Sequence, residues 1–151
     1  MNEPTQPAVP DFSTRDPHSP AFWDERFERG IMPWDQAGVP AAFRAFAARR
    51  SDAAVLIPGC GSAYEAVWLA RQGNLVRAID FSPAAVAAAH EQLGAQHARL
   101  AEQADFFTYE PPFVPAWIYE RAFLCALPPE RRTDYARRMA ELLPGGALLA
   151  G

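Results

Sequence analysis

The sequence predicts an α/β fold, a mostly parallel sheet with helices on both faces, from three observations. A β-branched apolar run, Val55-Leu56-Ile57, breaks at Pro58-Gly59-Cys60-Gly61 and opens into helical spacing from Tyr64. A second apolar run, Leu75 to Asp80, ends in a carboxylate and is followed by Ser82-Pro83 and an alanine-rich segment. A weaker strand around Ala101 to Phe106 and a buried one at Ala116 to Tyr119 precede a long amphipathic stretch and a last apolar run at Ala147 to Ala150. Strands separated by helices at this short spacing need crossover connections, which a parallel sheet supplies.

Taken in order, residues 1–18 carry four prolines and many small polar groups, which predicts an extended or mobile leader. Ser19-Pro20 reads as a helix start, with serine capping and proline at the first helical position, and Phe22, Trp23, Arg26 and Phe27 share a face up to Gly30. Ile31 to Gln36 is a loop, and a second helix over 40–50 turns Phe43 and Phe46 inward. We divide the chain into this leader and one domain over 19–151, with a helical cap at 19–50 and the sheet-containing core at 51–151. After Pro128-Pro129 the helical spacing places Tyr135, Met139, Leu142 and Leu143 inward and Arg131, Arg132, Arg137 and Arg138 in solvent.

Composition narrows the chemistry. A net charge of −4 and half the residues apolar argue against a nucleic-acid surface or a membrane-attracting patch. All 14 basic residues are arginine, so chemistry that needs a phosphate-loop or Schiff-base lysine is excluded. The start of the chain lacks an apolar targeting core, which predicts a cytoplasmic protein. Cys60 and Cys125, with His18, His90 and His97, show no zinc-ligand spacing, and both thiols are expected reduced and buried; no metal is expected. Gly61-Ser62-Ala63 does not form the elbow of a serine hydrolase.

Ligands of parallel sheets bind beyond the carboxyl ends of the strands, and Gly59, Asp80, Asp105 and Arg121 each follow one. Asp80 stands 21 residues after Gly59, the placement of a carboxylate that accepts hydrogen bonds from ribose hydroxyls. Gly59 and Gly61 are followed by Tyr64 where a dinucleotide turn has its third glycine. An adenosine cofactor without a phosphate clamp, S-adenosyl-L-methionine, fits that turn better than a nicotinamide dinucleotide.

Read together, Phe22-Trp23-Asp24-Glu25-Arg26-Phe27, Pro33-Trp34-Asp35-Gln36, Pro58-Gly59-Cys60-Gly61, Ala78-Ile79-Asp80-Phe81-Ser82, Asp105-Phe106-Phe107 and Tyr119-Glu120-Arg121 resemble the thiopurine S-methyltransferase family, which includes thiol and thiocyanate methyltransferases. The resemblance implies a Rossmann-like class I methyltransferase with an N-terminal helical cap, converting S-adenosyl-L-methionine to S-adenosyl-L-homocysteine. It places Trp23 and Trp34 in the aromatic cap, Gly59 at the methionine part, Gly61 in the same cofactor-binding turn, Asp80 on ribose, and Asp105 and Phe106 around adenine. Arg121 lies at the boundary of cofactor and acceptor, and Asp35 is a candidate proton acceptor or a loop cap. The implied reaction is methyl transfer to a small soft nucleophile, a thiol first. A cofactor binder without turnover is the alternative, and an NAD-dependent oxidoreductase a remote one. The pattern stops at its fifth strand, which predicts a truncated sheet, or a homodimer covering the open edge.

Overall fold

The computed structural model describes residues 10–151. Its centre is a five-stranded sheet in the order β3-β2-β1-β4-β5, every neighbouring pair parallel. The strands are β1 (Ala54–Pro58), β2 (Leu75–Asp80), β3 (Ala101–Gln103), β4 (Trp117–Tyr119) and β5 (Leu148–Ala150). Strand order reverses between β1 and β4, so the crevice at their carboxyl ends is the topological switch point.

Side-chain alternation along the strands builds two cores. Val55, Ile57, Val76, Ala78, Trp117 and Tyr119 face one side. There they meet α2 (Ala41–Ala47), α3 (Tyr64–Arg71) and α4 (Pro83–Leu93) through residues such as Phe43, Leu69, Ala89 and Leu93. Leu56, Ile79 and Ile118 face the other side and pack on Tyr135, Met139 and Leu142 of α6 (Arg132–Leu142). Both faces of the sheet are thus covered, which is why its central strands read as continuous apolar runs.

The cap helix α1 (Pro20–Glu28) has no fully buried residue and is tied to α4 by polar contacts. Asp24 on α1 accepts from Ser82 Oγ at 2.6 Å and from Ala84 N at 3.0 Å, so it caps α4 from a distance. Ser82 in turn accepts from Ala85 N at 3.0 Å, the capping role its sequence position predicts.

Residues 10–18 contain no helix or strand; Glu25 accepts from Ser13 N at 2.9 Å, from Thr14 N at 2.8 Å and from the Thr14 hydroxyl, and Trp23 Nε1 donates to Pro17 O. The remainder of the predicted leader lies outside the described residues. Three expectations need correction. The third strand ends at Gln103, because Asp105 Oδ1 accepts from Phe107 N and closes a turn instead of continuing the ladder. Arg138 is turned inward, its side chain 12% exposed. Its guanidinium donates to the carbonyls of Phe106 and Tyr109 and to Glu110 and Glu141, because loop 106–110 leaves those carbonyls without strand partners. Cys125 is exposed, since 123–126 forms the single turn α5 (Phe123–Ala126) at the rim of the cavity described below, so only part of that apolar run faces inward.

Candidate active site

A cavity of about 550 Å³ opens at the switch point. All four strand ends feed it: Gly59 and Gly61 after β1, Asp80 closing β2, Asp105 and Phe106 after β3, and Arg121 after β4. Trp23 and Trp34 line it from the cap. Of the residues singled out from the sequence, the structure brings all of these to one cavity and leaves only Asp35 out of the lining.

The turn after β1 is built by backbone geometry. Gly59 and Gly61 have φ of +58° and +50°, a conformation that strains other residues. A Cβ on Gly59 would stand 2.3 Å from the Phe123 ring, so the glycine also makes room for that aromatic wall. Ala63 and Ala122 share the left-handed conformation without being glycine, and both are N-caps of helices that open at the site. Glu120 accepts from Phe123 N at 2.8 Å and so supplies α5 with the cap that Ala122 lacks.

Asp80 anchors this turn. Its Oδ2 accepts from Gly61 N at 3.1 Å and its Oδ1 from Ser82 N at 3.0 Å. Each oxygen keeps lone-pair capacity toward the cavity. Burial raises its pKa to about 6, opposed by the backbone N–H groups of Ser82, Gly61 and Phe81 and assisted by the nearby charge of Asp24. Cys60, in the same turn, has its thiol pushed up by burial first and by Asp80 second, which makes it an inert packing group rather than a nucleophile.

The cap side is aromatic. Trp23 stands edge-on to Trp34 at 5.6 Å, Trp34 edge-on to Phe27 at 6.2 Å, and the Phe27 ring tip lies against Gly61. On the floor, Phe106 is buried and packs edge-on against Phe107 and Phe123. Asp35 holds this cap down: its carboxylate accepts from Ser62 Oγ at 2.8 Å, Tyr64 OH at 3.2 Å and Ala37 N at 2.8 Å. With those donors occupying it, Asp35 joins the Trp34 loop to the start of α3.

Arg121 is paired. It donates to Glu65 Oε1 at 2.9 Å and to Gly38 O at 3.1 Å, and Tyr119 OH reaches the same Glu65 oxygen. The Glu65 side chain is 6% exposed. Sequence reasoning missed Glu65, although a carboxylate in the first turn of a helix on an otherwise apolar face was its visible signal.

The parallel sheet with its switch point, the glycine turn after β1 and the helical cap are the fold of a Rossmann-like class I methyltransferase. The chain belongs to the thiopurine S-methyltransferase family, whose sequence model it matches over residues 18–150. It is 32% identical over 134 residues to thiocyanate methyltransferase 1 of Arabidopsis thaliana, covering 84% of this chain and 59% of that protein. It is 35% identical over 150 residues to a thiopurine S-methyltransferase of Vibrio cholerae serotype O1, covering 86% of this chain and 68% of the relative. The chain therefore spans about three fifths of the length of several curated relatives it matches. Among solved structures, one described under the conversion of a disulfide bond into a thioacetal group during echinomycin biosynthesis superposes with a TM-score of 0.68 at 27% identity, covering 85% of this chain and 57% of that one. A methyltransferase from Geobacter sulfurreducens in complex with S-adenosyl-L-homocysteine shares the fold, with a TM-score of 0.60 at 15% identity over 84% of this chain and 53% of that one.

Proposed function

We propose that this chain binds S-adenosyl-L-methionine in the switch-point cavity and transfers its methyl group to a small soft nucleophile, most simply a thiol. The observation that carries this reading is the convergence of Asp80, the Gly59–Gly61 turn and the Trp23–Trp34 cap on one cavity. The donor chemistry also fits: Asp80 keeps two acceptor sites free for ribose hydroxyls, beside the glycine turn that would hold the methionine part. The cavity volume falls within the usual range for small-molecule sites. That donor supplies an electrophilic methyl on a sulfonium.

Methyl transfer is an in-line displacement, so the residues contribute chiefly alignment and exclusion of water. Phe27 and Trp34 wall the space against Gly61, and Phe123 closes the side over Gly59. Asp105 and Phe106 border the adenine end. Arg121 presents a guanidinium fixed by Glu65, whose charge offsets its own, so it orients a thiolate rather than attracting it over distance. Among the described residues no helix is long and apolar enough to cross a membrane.

An assay of labelled methyl transfer from S-adenosyl-L-methionine to simple thiols, hydrogen sulfide, thiocyanate and halides tests the reading. Turnover with thiols is expected. Binding of S-adenosyl-L-homocysteine with no transfer to any acceptor would replace the enzyme by a cofactor-binding protein.

Asp80 also sets a pH dependence. Ribose hydroxyls donate to its ionised form, so affinity for S-adenosyl-L-homocysteine is expected to plateau above pH 7 and to fall about tenfold per unit below about pH 6. For stability the sign is opposite. The folded pKa lies above the ordinary 3.8, so the native state holds the extra proton and this group's contribution declines as pH rises from about 4 to 6. Calorimetric titrations between pH 5 and 8 check the first statement; a flat affinity would remove Asp80 from the ribose.

A further inference from the structure

One cation in the cavity wall is unexplained by the cofactor or by the fold. Arg26 of α1 lines the cavity beside Phe22 and Trp23. Its guanidinium lies 3.3 Å from the centre of the Phe22 ring and 4.0 Å from that of Phe12, and NH1 donates to Phe22 O at 2.6 Å. Two aromatic faces and one carbonyl fix its position but supply no anion. The other arginines in the lining each have a carboxylate within ion-pair distance: Arg121 has Glu65 and Arg131 has Asp134. The adjacent Glu25 is taken by Ser13, Thr14 and Arg29. Among the described residues, Arg26 is the cavity arginine without a carboxylate within ion-pair distance.

A partly desolvated guanidinium stacked on aromatic rings in the cavity lining, with four N–H groups unpaired among the described residues, is a carboxylate receptor in chemical terms. Its place on the helix says which carboxylate. Phe27 is the α1 residue against the Gly61 turn, where the methionine part of the donor belongs. Arg26, one residue earlier, is rotated by about 100° around the helix, beside Phe12. We infer that Arg26 is the anion anchor of the acceptor half of the cavity, and that the acceptor is a thiol carrying a carboxylate, its body packed on Phe22 and Trp23. This rests on the methyl-transfer reading above for the word acceptor, but not for the anchor itself.

The test uses 4-mercaptobenzoate and its uncharged analogue 4-mercaptobenzamide, titrated by calorimetry into the whole chain saturated with S-adenosyl-L-homocysteine. The acid is expected to bind about tenfold more tightly than the amide, the worth of one charge-assisted contact. Arg26→Gln should erase that difference, lowering acid affinity about tenfold and leaving the amide unchanged, while Arg26→Lys keeps part of it. Thermal melts of both variants control for folding. The inference is overturned if acid and amide bind alike, if neither binds, or if Arg26→Gln weakens S-adenosyl-L-homocysteine instead, which would give Arg26 to the donor's own carboxylate. If S-adenosyl-L-homocysteine does not bind the native chain, the methyl-transfer reading fails, and the same pair titrated without it still decides whether Arg26 selects the acid.

Discussion

Replacing Asp80 with alanine is expected to lower affinity for S-adenosyl-L-homocysteine by roughly a hundredfold or more. Two hydroxyls donating to an ionised, half-buried carboxylate are each worth about 1.5–3 kcal/mol, and the lower end of their sum already corresponds to that factor. Part of the loss is indirect. Gly61 N and Ser82 N both donate to this carboxylate, so the glycine turn and the start of α4 loosen together. Asp80→Asn separates the two contributions, because the amide oxygen can still accept one backbone N–H while the charge is gone. It should retain the fold by circular dichroism and lose most of the affinity. Asp80→Asn with unchanged affinity would mean that the adenosyl group lies elsewhere.

The second large effect is on stability. Arg121→Ala leaves the buried Glu65 carboxylate without its cation and strips Gly38 O of a donor. Breaking a buried pair from one side costs about 3–5 kcal/mol, and the partial exposure of Arg121 places this case near the lower figure. Denaturant unfolding should therefore show a midpoint well below that of the native chain. The double variant Glu65→Gln with Arg121→Ala should recover much of the loss, since no charge is then buried alone. Equal losses in the single and double variants would show that the pair itself contributes little. The same contrast separates structure from catalysis: a methyl-transfer defect that persists in the recovered double variant belongs to Arg121 at the cavity.

The sheet was legible in the sequence because its strands are buried on both faces and punctuated by residues with local meaning. Gly59 and Gly61 mark a turn that needs left-handed backbone, and Ser82-Pro83 marks a helix start that the structure keeps. The convergence of Gly59, Asp80, Asp105 and Arg121 followed from strand ends alone, since parallel strands all deliver their carboxyl ends to one edge. What could not be read were the partners across long sequence separations. Asp24 reaching Ser82, Asp35 holding Ser62 and Tyr64, and Arg121 meeting Glu65 are tertiary choices that no local pattern encodes. Arg138 was misplaced for a related reason: helical periodicity gives its angle on α6, but not the unpaired carbonyls of loop 106–110 that draw it inward. Cys125 was misjudged because an apolar run of four residues can close into one exposed turn as easily as extend into a buried strand.

The central claim is that the switch-point cavity is built for an adenosyl methyl donor rather than for a dinucleotide. Calorimetry on the whole chain with S-adenosyl-L-homocysteine and with NAD tests it most directly. Saturable one-to-one binding of S-adenosyl-L-homocysteine, weakened roughly a hundredfold or more in Asp80→Ala, is expected, with no heat from NAD. Binding of NAD, or binding of S-adenosyl-L-homocysteine that Asp80→Ala leaves intact, would contradict it.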